Sequence, residues 1–272
     1  MNAPAVLSLG AGVQSTTMLL MAAAGELEPL PELAIFADTG WEPTAVYEHL
    51  DWLEEQVAGR IEIARVSAGN LREDLLAFAE ESGRRYASPP LFVQSPRGGG
   101  MLRRQCTREY KIVPIERELR RRGFGGRGAK ARRVEQWVGI SFDELERMKP
   151  TRTPWIETRW PLVERRITRL DCVRWFRRRH PGRSLVRSAC IGCPYHSDAA
   201  WREVRSRPAE WADVVEVDAR IRSLPAVRGE AFLHRSRRPL TEVDLTTPEE
   251  RGQLALLDGE GFVAECEGMC GL

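Results

Sequence analysis

The stretch Val6-Leu7-Ser8-Leu9-Gly10-Ala11-Gly12-Val13-Gln14-Ser15-Thr16-Thr17 decides the fold. It reads as a short apolar strand, a glycine-rich turn and the start of a helix, which is how a βα unit of a parallel sheet begins. Glycines let a backbone turn tightly, and the free amides at a helix N-terminus bind phosphate. The stretch has neither the lysine of a Walker A loop nor a GxGxxG fingerprint, so the ordinary NTPase and dinucleotide-binding patterns both match poorly.

Strand-like and helix-like segments alternate from this stretch onward. We predict strands at residues 5–9, 33–37, 61–66 and 136–140, and helices at residues 15–24, 43–57, 167–180, 198–205 and 208–223. This order predicts an α/β fold, a Rossmann-like, mostly parallel sheet flanked by helices, with a helical C-terminal extension. Residues 82–104, rich in Pro, Gly and Arg, are predicted to form a long irregular loop over a site.

The charge of the chain is segregated although its total is small. The 272 residues carry 41 Lys+Arg and 39 Asp+Glu, a net charge of +2, and only three of the basic residues are lysine. Residues 1–60 have a net charge of −8, whereas residues 103–133 have a net charge of +9. This asymmetry predicts an anionic partner for the middle of the chain. A solvated helix covered with arginine is the alternative.

The overall composition limits the class of protein. A hydrophobic fraction of 42% beside 29% charged residues excludes wholesale disorder. No apolar stretch near the start approaches the ~20 residues that span a bilayer, and the first residues lack the basic region of a signal peptide. We therefore expect a cytoplasmic protein without a membrane partner. In that compartment its six cysteines are expected to be metal ligands, catalytic thiols or buried residues.

Two further motifs follow predicted strands. Asp38-Thr39-Gly40 comes at the carboxyl end of the second strand, the edge where open α/β sheets bind ligands. Asp38 is a candidate to orient a ribose or to hold Mg²⁺, and an ordinary turn before a helix is the alternative. After the strand at 136–140, Arg147 is a candidate to pair with phosphate, whereas Asp143 and Glu144 are expected to cap a helix.

The cysteines form the most distinctive pattern. Cys190-Ile191-Gly192-Cys193 presents two thiols on a glycine-containing turn, and Cys106, in a basic segment, offers a third. Three or four cysteines suit zinc or an iron–sulfur cluster, and a redox dithiol explains the CxxC equally well. Cys266 and Cys270 lie beside glycines at the end of the chain, where they are either mobile thiols of a site or exposed thiols without a role.

Taken in order, these motifs resemble the phosphoadenosine phosphosulfate (PAPS) reductase-like family of the PP-loop, or adenine nucleotide alpha-hydrolase-like, superfamily over about residues 6–211. The Gly10 to Ser15 turn is similar to the phosphate loop of that superfamily, with Gln14 in place of its aspartate, and Asp38-Thr39-Gly40 is similar to its second-strand motif. Two longer patterns complete the resemblance, Cys-x-x-x-x-Lys-x-x-Pro at Cys106, Lys111 and Pro114 and Gly-x-x-x-Asp-Glu-x-x-Arg at Gly139, Asp143, Glu144 and Arg147.

The resemblance implies a Rossmann-like sheet of the HUP type, with an adenine-nucleotide-binding PP-loop domain at residues 1–165 and a helical region carrying the CxxC and the cysteine tail at residues 166–272. It implies that ATP, with Mg²⁺, or adenylyl sulfate is bound by Gly10, Ala11, Gly12, Gln14, Ser15, Thr16, Asp38, Thr39, Gly40, Arg108, Lys111, Gly139 and Arg147. It also implies catalytic roles for Asp38, Cys266 and Cys270, and a [4Fe-4S] cluster on Cys106, Cys190 and Cys193.

Two chemistries are compatible with the resemblance. We favour an ATP-dependent sulfurtransferase that adenylates a nucleic acid, tRNA or DNA, and takes sulfur from a donor such as a cysteine desulfurase, because three cysteines leave an open iron and the +9 segment suits a polyanion. The alternative is a sulfonucleotide reductase that forms sulfite through a Cys270 thiosulfonate and uses a thioredoxin-like reductant. Gln14 and the Met-Cys-Gly-Leu end favour it. A non-catalytic zinc or nucleic-acid-binding module is the third possibility.

Overall fold

The computed structural model describes residues 3–80, 87–126, 131–225 and 227–247. Over these residues the chain divides into two compact units. Unit 1 is built from Met1–Gly69 and Thr107–Ser188, and unit 2 from Asn70–Cys106 and Ala189–Glu265. The predicted domains, residues 1–165 and 166–272, are a different division of the chain and stay a prediction.

Unit 1 is an α/β structure with a five-stranded parallel sheet in the order β3-β2-β1-β6-β7. Its strands are β1 (Ala5–Ser8), β2 (Leu33–Asp38), β3 (Glu62–Ser67), β6 (Val134–Val138) and β7 (Ile156–Arg159). Its helices are α1 (Val13–Ala23), α2 (Thr44–Val57), α4 (Val113–Arg121), α5 (Pro161–Glu164) and α6 (Arg169–Arg179), with a π-helix at Thr107–Ile112 and a 3₁₀ helix at Phe142–Arg147. The architecture is consistent with a Rossmann-like fold and confirms the predicted α/β class.

The sheet of unit 1 is covered by helices on both faces, because successive side chains of a strand point to opposite faces. Leu7 of β1 and Phe36 of β2 belong to one core cluster, which includes residues of α1, α2 and α6. Val6 and Ile35, their neighbours in sequence, belong to a second cluster, which includes residues of α4. Burial on both faces explains why these strands are continuously apolar rather than alternating.

The order of the strands places the candidate motifs at one edge of the sheet. From β1 the chain proceeds to β2 and β3 on one side, and it later returns to β6 and β7 on the other side. The direction of winding therefore reverses between β1 and β6, and ligands of open α/β sheets bind at such a reversal, beyond the carboxyl ends of the strands. Gly10 and Gly139 lie in the loops after β1 and β6, and Asp38 is the last residue of β2, so all three motifs lie at the carboxyl ends of neighbouring strands.

Unit 2 combines helices with a small antiparallel sheet in the order β5-β4-β8. Its elements are α3 (Leu71–Glu80), β4 (Phe92–Ser95), β5 (Gly98–Met101), α7 (Asp198–Arg205), α8 (Pro208–Arg220), β8 (Glu230–Phe232) and a 3₁₀ helix at Leu240–Glu242. Arg72 on α3 pairs with Asp213 and Glu216 on α8. Trp201, Val214 and Leu75 are among its fully buried side chains.

One prediction about local structure is wrong. Residues 82–104 were expected to form a structureless loop, but the described part contains the hairpin of β4 and β5, in which Phe92 is paired with Met101 and Ser95 with Gly98. β5 could not be predicted from the sequence because it contains three consecutive glycines, Gly98 to Gly100, and glycine is disfavoured in strands. The predicted helices at 198–205 and 208–223 are confirmed, the second ending at Arg220.

No helix among the described residues is both long and apolar enough to cross a membrane.

Candidate functional site

The turn after β1 leads directly into the N-terminus of α1. Gly12 is the N-cap residue of α1 and, as a glycine, has no side chain that could cap the helix. The first amides of a helix have no partner within the helix, and they carry the positive end of its dipole. Ala11 is buried and has a positive φ of 60°, a conformation that is costly for a residue with a side chain and that recurs at ligand sites. This turn is suited to hold an anion.

The loop after β6 packs directly against this turn. A Cβ atom on Gly139 would lie 2.9 Å from the backbone nitrogen of Ser15 and 3.1 Å from its Cα. Such a contact is too close for two heavy atoms that are not bonded, so only glycine fits at position 139. On the other side of the turn, a Cβ on Gly10 would lie 3.3 Å from Oγ of the buried Ser188. The position of the first helical turn therefore depends on both contacts.

Gly139→Ala is predicted to destabilise unit 1 and displace the first turn of α1. Overpacking of this kind costs about 1–3 kcal/mol, and urea unfolding monitored by tryptophan fluorescence measures it. Gly100→Ala is the matched control, because a Cβ there would meet nothing within 4 Å. Equal stability of the two variants would contradict the close packing of Gly139 on Ser15.

A polar network links α1 to the 3₁₀ helix after β6. Gln14 is almost fully buried, and its Nε2 donates to Glu144 Oε2 at 2.7 Å. Ser141 Oγ donates to the same oxygen at 3.1 Å. Arg147 pairs with Oε1 of Glu144 through its Nη1. One carboxylate therefore orients both Gln14 and Arg147, which lie more than 130 residues apart in the sequence.

Two atoms of this network have no partner among the described residues. Gln14 Oε1 and Arg147 Nη2 are buried and form no hydrogen bond there. A buried polar atom without a partner costs about 1–3 kcal/mol, so native proteins rarely keep such atoms without a reason. Here one acceptor and one donor remain open around a single carboxylate, next to the first turn of α1. This pair is the clearest sign of a ligand site in unit 1.

The Asp38 turn offers a further carboxylate at the same edge. Asp38 Oδ1 accepts from the Gly40 amide at 2.7 Å and from the Tyr47 hydroxyl at 2.9 Å. Burial and the hydrogen bond to Asp38 raise the pKa of Tyr47, so its hydroxyl stays protonated and donates. Oδ2 of Asp38 accepts no hydrogen bond from the described residues and remains available to a ribose hydroxyl or a cation.

Lys111, in the π-helix, contacts a residue of the turn after β2, whereas Arg108 does not. The Lys111 ammonium lies 3.5 Å from Glu42 Oε1, which also accepts from the Thr39 hydroxyl at 3.0 Å. Lys111 and Glu42 are both buried, and their pairing ties the π-helix to the turn after β2. Arg108 has an exposed side chain and pairs with its neighbour Glu109. The predicted phosphate contact from Arg108 is thus not preformed.

Thr16, predicted to contact phosphate, is fully buried and faces α2 instead. Its Oγ1 lies 3.0 Å from Nε2 of the buried His49. The His49 ring is stacked on Trp52, with the centroids 5.4 Å apart. Burial, followed by repulsion from Arg183, lowers the pKa of His49 to about 4, so the ring is neutral at pH 7. A neutral histidine of α2 thus forms a hydrogen bond with Thr16 in the first turn of α1.

The low pKa of His49 predicts a loss of stability in mild acid. The unfolded chain takes up a proton near pH 6.5, whereas the folded chain resists it until about pH 4. The stabilisation is therefore complete above pH 6.5 and is lost as the pH falls towards 4, by about 3 kcal/mol in all. Urea unfolding at pH 7.5 and pH 4.5 should show a smaller difference for His49→Gln than for the native chain. An unchanged difference would contradict the assignment to His49.

The cysteines predicted to bind metal all belong to unit 2. Cys190 and Cys193 lie on a turn closed by the hydrogen bond from the Cys193 amide to the Cys190 carbonyl at 3.0 Å. Both thiols and that of Cys106 are partly buried and reduced. Among the described residues, however, no group of three or more His, Cys, Asp or Glu is arranged to hold one metal ion. The described residues thus do not show the predicted three-cysteine metal site preformed.

Cys266 and Cys270 lie outside the described residues.

The network also changes the assignment of the two acids after β6. Glu144 was expected to cap a helix, but its carboxylate binds Gln14, Ser141 and Arg147. Asp143 does cap a helix: its Oδ1 accepts from the amide of Arg169, the first residue of α6. Tyr47 and His49 were not among the predicted site residues, and no motif in the sequence marked them. Glu144 was part of the Gly-x-x-x-Asp-Glu-x-x-Arg pattern but was assigned the role of a helix cap.

No protein-family model matches the chain, and no curated protein matches its sequence.

Proposed function

We propose that the protein is an ATP-dependent sulfurtransferase, an ATP pyrophosphatase of the PP-loop superfamily that is similar to the PAPS reductase-like family. The proposal includes a HUP-type sheet and a helical extension at residues 166–272 that carries the sulfur chemistry. The observation that carries it is the open pair, Gln14 Oε1 and Arg147 Nη2, beside the first turn of α1. Triphosphate oxygens suit the amides and the arginine, and a hydroxyl or amino group of the nucleoside suits the glutamine oxygen.

In this proposal each group at the carboxyl edge of the unit 1 sheet has one role. The amides of α1 and the guanidinium of Arg147 neutralise the phosphates, and Asp38 Oδ2 orients the ribose or a magnesium ion. Lys111 acts through Glu42 to hold the Asp38 turn. An oxygen of the acceptor then attacks the α-phosphorus of ATP, the bond to the β-phosphate breaks and pyrophosphate leaves. A sulfur nucleophile afterwards displaces AMP from the acceptor.

The cysteines of unit 2 remain the proposed ligands of a [4Fe-4S] cluster, Cys106, Cys190 and Cys193. When bound, such a cluster supplies an open iron at which sulfide is held. Because no group of three ligands is preformed among the described residues, no step above depends on the cluster. Anaerobically purified protein is expected to be brown and to contain iron. Colourless protein with one zinc ion per chain would overturn the assignment of an iron–sulfur cluster but not the proposed pyrophosphatase activity.

A sulfonucleotide reductase is the second candidate, favoured by Gln14 at the position of the superfamily aspartate. In that case adenylyl sulfate occupies the same edge, and a cysteine thiolate attacks its sulfur.

One experiment separates the two candidates. The native chain is incubated with ATP, Mg²⁺ and either tRNA or DNA, and pyrophosphate is measured. In parallel it is incubated with adenylyl sulfate and a thiol reductant, and sulfite is measured. We expect pyrophosphate that depends on the nucleic acid, and no sulfite. Sulfite without pyrophosphate would establish the reductase and overturn the sulfurtransferase.

A further inference from the structure

A basic surface surrounds the small sheet of unit 2. Residues 87–106 and 231–240 contain no Asp or Glu, and their arginines are Arg97, Arg103, Arg104, Arg235, Arg237 and Arg238. The first segment forms the hairpin of β4 and β5, and the second contains most of β8 and the turn that follows it. A codon bias towards arginine explains why these residues are not lysine. It does not explain why carboxylates are missing from both segments.

Arg237 is held in place at a cost in backbone energy. Its φ is +55°, a conformation that costs a residue with a side chain of order 1 kcal/mol. Its Nη1 donates to Gln94 Oε1 on β4 at 2.9 Å. A Cβ atom on Gly99 would lie only 1.2 Å from that nitrogen, so the guanidinium fills the space above a glycine of β5. Three features thus fix one exposed cation over the hairpin.

Most of this charge is not neutralised within the described part of the protein. There, Arg97, Arg103, Arg237 and Arg238 form no ion pair, and Arg235 pairs with Asp198 at 2.8 Å. Some other arginines of unit 2 are paired, as Arg72 is with Asp213. Open guanidinium groups on a preformed surface are suited to phosphate oxygens, which they bind with two parallel hydrogen bonds.

The basic surface continues to the cysteine turn. The guanidinium of Arg104 lies over the ring of Tyr195, 5.7 Å from its centroid. Tyr195 is 39% exposed and follows Cys193 by two residues. Arginine and exposed aromatic rings together are the side chains that proteins use to hold nucleic acid, through phosphate contacts and base stacking. An acceptor bound on the hairpin would therefore extend towards the CxxC.

We propose that the hairpin of β4 and β5, with Arg97 at its tip and Arg237 on its face, binds the sugar-phosphate backbone of duplex DNA. This inference rests on the proposed function: of the two proposed acceptors, tRNA and DNA, it selects DNA. The hairpin includes β5, the edge strand of the small sheet. Strands of DNA-binding proteins enter the grooves of B-form DNA, whose major groove is about 12 Å wide, whereas the major groove of A-form RNA is too narrow to admit them. The binding is independent of sequence, because glycines on β5 carry no side chains that read bases.

The test is the binding of a short labelled DNA duplex, followed by fluorescence anisotropy without ATP over a range of salt concentrations. Arg237→Gln should weaken binding about tenfold and lower the slope of log K against log salt by about one. Gly99→Ala keeps every charge but displaces the guanidinium of Arg237, and it should weaken binding by a similar factor. Arg205→Gln is the control, since it removes an exposed charge of α7 in the same unit.

The outcomes separate this inference from the proposed function. Equal losses for Arg237→Gln and Arg205→Gln would show only a diffuse electrostatic effect and would overturn the hairpin site. Tighter binding of tRNA than of the duplex would overturn the assignment to DNA. If the native chain releases pyrophosphate with an acceptor but neither variant weakens DNA binding, the proposed function stands and the hairpin site does not.

Discussion

Glu144→Gln is expected to reduce kcat/KM for pyrophosphate release about hundredfold, although this carboxylate is proposed to touch no substrate atom. Glu144 accepts from Gln14 and pairs with Arg147, so it sets the positions of the two groups proposed to contact the nucleotide. Glutamine at this position keeps the shape but loses the charge that holds the guanidinium. A shift of about 1 Å in a positioning group can cost 10²-fold in rate.

A double-mutant cycle distinguishes positioning from general damage. If Glu144 acts partly through Arg147, then the loss in Glu144→Gln combined with Arg147→Gln should be smaller than the product of the two single losses. Glu146→Gln is the matched control, because Glu146 is an exposed acid on the same 3₁₀ helix. Multiplicative losses in the double variant, or an equal loss for Glu146→Gln, would show that Glu144 does not position Arg147.

The sequence was sufficient to predict the sheet of unit 1 because its signals are local. Apolar runs at residues 5–9, 33–37, 61–66 and 136–140 each end in a polar or glycine-containing turn, and all four became parallel strands within two residues of the predicted ends. The edge that carries Gly10, Asp38 and Gly139 then follows from the rule that parallel strands share their carboxyl ends. β7 was missed because four residues, Ile156–Arg159, give too short a pattern.

What the sequence could not predict depends on contacts between distant residues. In the sequence, Gly139 looks like any other glycine after a strand; its close approach to Ser15 exists only in the folded chain. The pairing of Gln14 with Glu144 joins segments 130 residues apart, and helix-capping statistics gave Glu144 the more common task. His49 lies on the buried face of the amphipathic helix α2, and any apolar residue at that position would fit the same pattern, so the pattern does not mark the histidine. Such sites are where local rules fail, because function rather than folding selects the side chain.

Cys270→Ser is expected to abolish sulfur transfer while leaving acceptor-dependent pyrophosphate release intact. In the proposed reaction a donor persulfide, such as that of a cysteine desulfurase, transfers its outer sulfur to the Cys270 thiolate, and the donor cysteine leaves as a thiolate. The outer sulfur of the Cys270 persulfide then attacks the adenylated acceptor, so a carbon–sulfur or phosphorus–sulfur bond forms and AMP leaves. The thiolate of Cys266 then attacks the Cys270 sulfur, which releases the thiolated acceptor and forms a disulfide between the two cysteines. A thiol reductant restores both. Serine cannot carry a persulfide, so turnover stops after adenylation.

Cys266→Ser tests the second half of this scheme. Without the resolving thiol, the acceptor should remain linked to Cys270 through a disulfide, which appears as a covalent adduct on a non-reducing gel and disappears with dithiothreitol. Mass spectrometry of the acceptor measures sulfur incorporation, and pyrophosphate release measures adenylation in the same reaction. If Cys270→Ser transfers sulfur at the native rate, the tail has no part in the chemistry. If it also loses pyrophosphate release, Cys270 acts before sulfur transfer, at the nucleotide itself.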